Sequence, residues 1–126
     1  MKLMQLKDVA YSDRIRRAPE YLALAQQATA YLDQLLRDSA PRVPGKWSAP
    51  RVSAEWDSID EGGGRSIILL RIWDHDGEGR ARFTPDELKT PAIRDHRLWR
   101  VYDDLLRQGI DKHLQGVLED GGDAGL

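Results

Sequence analysis

From Pro19 to about Asp38, apolar residues recur at spacings of four and three: Tyr21, Ala25, Ala28, Leu32 and Leu35, with Leu24, Tyr31 and Leu36 beside them. That stripe predicts an amphipathic helix about 30 Å long. Pro19 suits its first turn, where the missing N–H is no loss. Ser39-Ala40-Pro41 stops it, because proline pushes the residue before it out of the α region. Upstream, residues 1–13 fit two patterns. Leu3, Leu6 and Ala10 suit a helical turn, while Lys2 to Val9 suits an edge strand.

After a connector over 39–50 containing Pro41, Pro44, Gly45 and Pro50, the period changes to two. Val52, Ala54 and Trp56 alternate with Arg51, Ser53, Glu55 and Asp57, as in a half-buried strand. Glu61-Gly62-Gly63-Gly64 is a flexible turn. The next strand, Ser66 to Trp73, is apolar on both faces: Ile68, Leu70 and Ile72 on one, Ile67, Leu69 and Trp73 on the other. Such a strand is normally central, so either the two main helices pack on opposite faces or one face awaits a partner. A hairpin at 74–79 leads to a third strand, Arg80 to Phe83, with Ala81 and Phe83 inward.

Phe83-Thr84-Pro85-Asp86-Glu87-Leu88 is the most specific local signal. Thr84 is an N-cap, Pro85 suits N1, and Glu87 completes a capping box. Phe83 and Leu88 are spaced for a hydrophobic staple across it. Thr90-Pro91 repeats the cap, so one short turn is followed by a main helix from Pro91 to about Gln108. Leu98, Trp99, Val101, Tyr102, Leu105 and Leu106 share an arc of about 160° on it. Gly109 suits a left-handed cap. Ile110, Leu114, Val117 and Leu118 form a short last helix. The predicted fold is therefore α+β: a three-stranded antiparallel meander with a long N-terminal helix and two C-terminal helices, in the order α-β-β-β-α-α. One domain spans 1–118, followed by a flexible Gly- and Asp-rich tail at 119–126.

Composition narrows the chemistry. The absence of cysteine excludes disulfides, Cys-ligated zinc, iron–sulfur clusters and thiol nucleophiles. The longest apolar run, Ile67-Ile68-Leu69-Leu70, is far short of the roughly 20 residues of a membrane span. No export signal marks the N-terminus, and a cytoplasmic location is expected. A net charge of −2 disfavours a general nucleic-acid binder. Arg outnumbers Lys 14 to 5, but it alternates with Asp and Glu as in surface ion pairing.

The candidate sites follow from these patterns. Asp74, Asp76 and Glu78 alternate like metal ligands, and the frame from Asp74 begins as an EF-hand loop does. It fails at the twelfth position, which is Pro85, so turn geometry is the simpler role for these residues. His75, His96 and His113 form no zinc spacing, and the Gly62–Gly64 run lacks the Lys-Ser/Thr of a phosphate loop. No nucleophile elbow occurs, and Asp103 and Asp104 diverge by about 100° on their helix. No cofactor is expected.

The helix–three strands–helix order resembles that of double-stranded-RNA-binding domains. Their final helix starts with a Lys-rich cluster, whereas Asp86-Glu87-Leu88-Lys89-Thr90 is acidic at its start, and the connector before the first strand is longer. Arg94, Arg97 and Arg100 stand at helical spacing and are the residues a nucleic acid or another partner would meet, although Asp95, Asp103 and Asp104 interleave with the series. Trp47, in the Pro-rich connector, is a further partner-binding candidate. Trp, Tyr and Arg are the residues interfaces concentrate, and the strand at 66–73 has an apolar face to spare. The expectation is a non-enzymatic protein-interaction module, such as an accessory subunit, adaptor or regulatory or immunity-type protein. It would bind another protein or itself as a homodimer. A metal-dependent hydrolase using the hairpin, or a nucleic-acid binder using the arginines, are the alternatives.

Overall fold

In the computed structural model the described residues are 6–39, 52–75 and 77–124, with the side chains of 39 and 112–124 excepted. The elements run β1 (Leu6–Tyr11), α1 (Asp13–Arg16), α2 (Pro19–Ser39), β2 (Val52–Asp60), β3 (Ser66–Trp73), β4 (Glu78–Phe83), α3 (Pro85–Lys89) and α4 (Pro91–Ala124). The fold is α+β, with the expected meander at β2–β3–β4. The sheet has a fourth strand. Residues 6–11 form an edge strand parallel to β2, and α2 is the crossover between them.

The strand signal of β1 is blurred by an irregularity in register between Leu6 and Asp8. Leu6, Val9 and Tyr11 align with the inward Val52, Ala54 and Trp56, so the inward residues are spaced by three and then two. A bulge of this kind breaks the period of two that marks a strand.

The described helices lie on one face of the sheet; α2 and α4 touch each other there, so they do not take opposite faces. The buried rows beneath them are Val52, Ala54 and Trp56 on β2, Ile68, Leu70 and Ile72 on β3, and Phe83 on β4. Ala25, Ala28, Leu32 and Leu36 of α2 and Leu98, Val101, Tyr102 and Leu105 of α4 close over them. Each fully buried Leu, Ile or Phe contributes roughly 1.5–3 kcal/mol. Two helices on one face concentrate that burial in a single core.

Two buried polar side chains, Thr29 and Asp33, have their partners within the fold. Thr29 Oγ1 accepts from the Trp56 indole N–H at 2.8 Å, lies 3.2 Å from the Tyr11 hydroxyl, and donates to the Ala25 carbonyl at 2.8 Å. Asp33 is 2% exposed; it accepts from the Leu6 backbone N–H at 3.1 Å and pairs with Arg37.

The turns differ in device. Gly62, Gly63 and Gly64 have φ of +88°, +62° and +75°, three successive left-handed residues that only glycine supplies without strain. The second hairpin is shorter than expected, because Glu78 and Gly79 belong to β4. Asp74 N–H donates to the Gly77 carbonyl at 3.1 Å and Gly77 N–H to Asp74 Oδ1 at 3.0 Å. Among the described residues no positive φ occurs there, so the Asp74 side chain makes the turn.

The capping box forms as the sequence predicts. Glu87 N–H donates to Thr84 Oγ1 at 3.2 Å, and Thr84 N–H donates to Glu87 Oε1 at 2.9 Å. After that single turn, α4 runs without a break to Ala124. Gly109 is helical and buried rather than a left-handed cap. A helical glycine costs about 1 kcal/mol relative to alanine.

Helix side chains also meet both edges of the sheet. On β1 the contact is Asp33 to Leu6. On β4, Gln108 accepts from the Glu78 N–H at 3.0 Å and donates to the Glu78 carbonyl at 2.8 Å. Arg97 donates to the Arg82 carbonyl at 2.8 Å.

Candidate functional site

Among the described residues no helix lies on the opposite face of the sheet. Alternation places on it Asp8 and Ala10 from β1, Ser53, Glu55, Asp57 and Ile59 from β2, Ile67, Leu69, Arg71 and Trp73 from β3, and Glu78, Arg80 and Arg82 from β4. The register aligns them in rows across the strands. One row is Asp8–Ser53–Trp73–Glu78, the next Ala10–Glu55–Arg71–Arg80, the next Asp57–Leu69–Arg82, and the last Ile59–Ile67. Ile59, Ile67, Leu69 and Trp73 are half-buried. A shallow depression runs between Glu55, Asp57, Leu69, Arg71, Arg80 and Arg82.

Local bonds hold the charged residues in place. Arg71 Nε reaches Glu78 Oε2 at 2.9 Å, and its guanidinium lies 4.5 Å from the centre of the Trp73 ring. Arg80 pairs with the other oxygen of Glu78. The Arg80 and Arg71 guanidiniums hold the Glu78 carboxyl below the ordinary glutamate value. Arg82 pairs with Glu61 from the β2–β3 turn.

At the β1 end, Asp57 accepts from Ser12 Oγ at 2.6 Å, from Arg14, and from the Ser58 N–H at 2.8 Å. Burial raises its pKa, but the bonds from Ser12 and Arg14 outweigh that and bring it below the ordinary value. Ser12 also caps α1 by accepting from the Ile15 N–H at 3.3 Å. Asp57 therefore ties the β1–α1 junction to the rim of the open face.

The residues singled out from sequence do not converge on one site. Trp47 and Asp76 lie outside the described residues. Asp74 serves its turn and Glu78 is held by two arginines. Among the described residues no group of three His, Asp or Glu is arranged to hold a metal ion. Arg94 pairs with Asp95 and lies 5.7 Å from the Tyr31 ring. Arg97 pairs with Glu87, binds the Arg82 carbonyl and lies 5.7 Å from the Phe83 ring. Arg100 is exposed. Two of these three arginines are thus bound into the fold.

The open face instead gathers residues that sequence motifs do not mark: Glu55, Asp57, Leu69, Arg71, Trp73, Arg80 and Arg82. Their signal is the outward half of the period-two alternation, above all the second apolar face of β3. Elsewhere, the large exposed apolar residues Ile93, Trp99 and Ile110 all lie on α4, away from this face. No helix among the described residues is long and apolar enough to cross a membrane.

Comparison with protein families and with curated proteins yields no match. Among solved structures, the N-terminal domain of Thermus thermophilus Protein Y is similar at a TM-score of 0.41 and 15% identity, over 82% of this chain and 98% of that one. A likeness at that level carries no inference about function.

Proposed function

We propose that this protein is a non-enzymatic protein-interaction module, an accessory or regulatory subunit, that docks through the open face of its sheet. One observation supports this above others: Ile59, Ile67, Leu69 and Trp73 form an apolar band on a sheet face that no described element covers, rimmed by charged residues. An apolar centre within a polar rim, with Trp and Arg present, is the composition of a protein–protein interface. A cytoplasmic location goes with this reading.

The test is a pair of surface variants, Leu69→Ser and Trp73→Ser, compared with Ile110→Ser on the exposed side of α4. Binding of a partner, measured by calorimetry or cross-linking, is expected to fall at least tenfold for the first two and to be unchanged for the third. Equal loss in all three, or no loss in any, refutes the face as the docking surface.

A further inference from the structure

We infer that the occupant of this face is a second copy of the same chain; this rests on reading the face as a docking surface. The charges on it are segregated. Asp8, Glu55 and Asp57 stand on β1 and β2, offset only by Arg14 on Asp57. Arg71, Arg80 and Arg82 stand on β3 and β4, offset in part by Glu78 and by Glu61 from the turn. An acidic half and a basic half therefore flank the apolar band.

A two-fold axis lying in the interface, parallel to the strands and between β2 and β3, preserves the rows and exchanges the halves. It sets β2 over β3 of the second copy and β1 over β4. Glu55 then meets Arg71 of the second copy, Ile59 meets Ile67, and the small Ser53 faces the large Trp73. Among the described residues Glu55 makes no ion pair of its own, although Arg71 is its cross-strand neighbour. Every contact of this kind occurs twice, as in any isologous interface.

Asp57 meets Leu69 of the second copy, its charge already engaged by Arg14 and Ser12, and the pairing of Asp8 with Glu78 is unfavourable. It lies at a corner, where sheets crossing at about 30° diverge, and Arg71 and Arg80 already offset Glu78. Four strands about 4.8 Å apart and roughly 23 Å long give a flat footprint of about 450 Å² per copy. A standard interface buries about 800 Å² per partner, so the dimer is a weak and reversible one.

Sedimentation velocity of the full chain over a concentration series tests the inference. The mass is expected to rise from one copy to two. Glu55→Arg and Arg71→Glu are each expected to weaken association at least tenfold, since each alone brings like charges together across the axis. An equimolar mixture of the two variants is expected to recover the dimer, because each copy then supplies the charge the other lacks. No change confined to one chain predicts that recovery. Circular dichroism establishes that the variants fold, and Leu69→Glu, at the centre of the band, gives the same loss should Arg71→Glu unfold. Three results overturn the inference: a wild-type chain that stays monomeric, a dimer indifferent to these substitutions, or folded variants that fail to recover on mixing.

A photo-reactive residue at position 69 separates the two levels of the reading. A monomer whose probe captures a different protein removes the second copy and leaves the docking face. A monomer whose probe captures only residues 40–51 of its own chain, or nothing, removes both.

Discussion

Gly79 lies against Val101 so closely that a side chain has no place between them. A Cβ built on Gly79 stands 2.8 Å from Val101 Cγ2 and 2.9 Å from the Val101 carbonyl oxygen. The second contact is with backbone, which a rotamer change cannot relieve. Here α4 rests directly on β4.

Gly79→Ala is therefore expected to cost about 2–3 kcal/mol through overpacking, measured as a lower urea midpoint. Gly63→Ala offers a contrast, because its Cβ would meet nothing while its φ is +62°. Its expected cost is about 1–2 kcal/mol, from the left-handed conformation alone. The sites share no neighbour, so the two losses are expected to add in the double variant.

Thr29→Val keeps the shape of the side chain and removes its oxygen. The buried Trp56 indole N–H then loses its acceptor, and the Tyr11 hydroxyl loses a partner. An unsatisfied buried group costs about 1–3 kcal/mol. A loss of about 2–3 kcal/mol in chemical denaturation is expected, and a loss under 0.5 kcal/mol on that scale would show that the network is dispensable.

Asp33→Ala removes the acceptor of the Leu6 N–H and the partner of Arg37. Because Arg37 is partly exposed, the expected cost is about 2 kcal/mol rather than that of a fully buried pair. It should fall first on β1, read as faster hydrogen exchange at Leu6 with the amides of β3 unchanged.

Glu87 supplies a pH dependence. The bond from Arg97, followed by the backbone bond at Thr84, depresses its pKa from 4.5 to about 2. The unfolded chain therefore takes up this proton before the folded one does. The contribution of Glu87 is complete above about 4.5 and is lost as pH falls from there towards 2. The stability difference between wild type and Glu87→Gln is expected to shrink across that window. A constant difference would mean that the ion pair with Arg97 adds nothing.

The parts of the fold legible in the sequence are those whose cause is local. The capping box at Thr84 is complete within four residues, and the alternation of Val52, Ala54 and Trp56 needs only its own strand. The strand β1 was ambiguous because its bulge removes the period of two, and because its parallel partner lies beyond α2. Gly109 reads as a cap along the chain, yet it lies within a helix that continues past it.

The candidate face was legible only as half of itself. The second apolar row of β3 was visible in the order Ile67, Leu69, Trp73. Its segregation of charge was not, because Glu55 and Arg71 become neighbours only through the antiparallel register. Arg94 and Arg97 look available along the chain, yet Tyr31, Phe83 and Glu87 engage them once the elements meet.

Side chains also occupy part of each sheet edge. Glu78 has both backbone groups committed to Gln108, Arg82 has its carbonyl on Arg97, and Leu6 has its N–H on Asp33. An extended peptide seeking to join beside β4 as a fifth strand finds three of the edge's backbone groups already taken. Backbone pairing accepts almost any sequence, so these bonds disfavour the least selective mode of binding at that edge. On the docking role proposed above, recognition falls to side chains on the flat of the sheet, where a single altered charge can tell one partner from another.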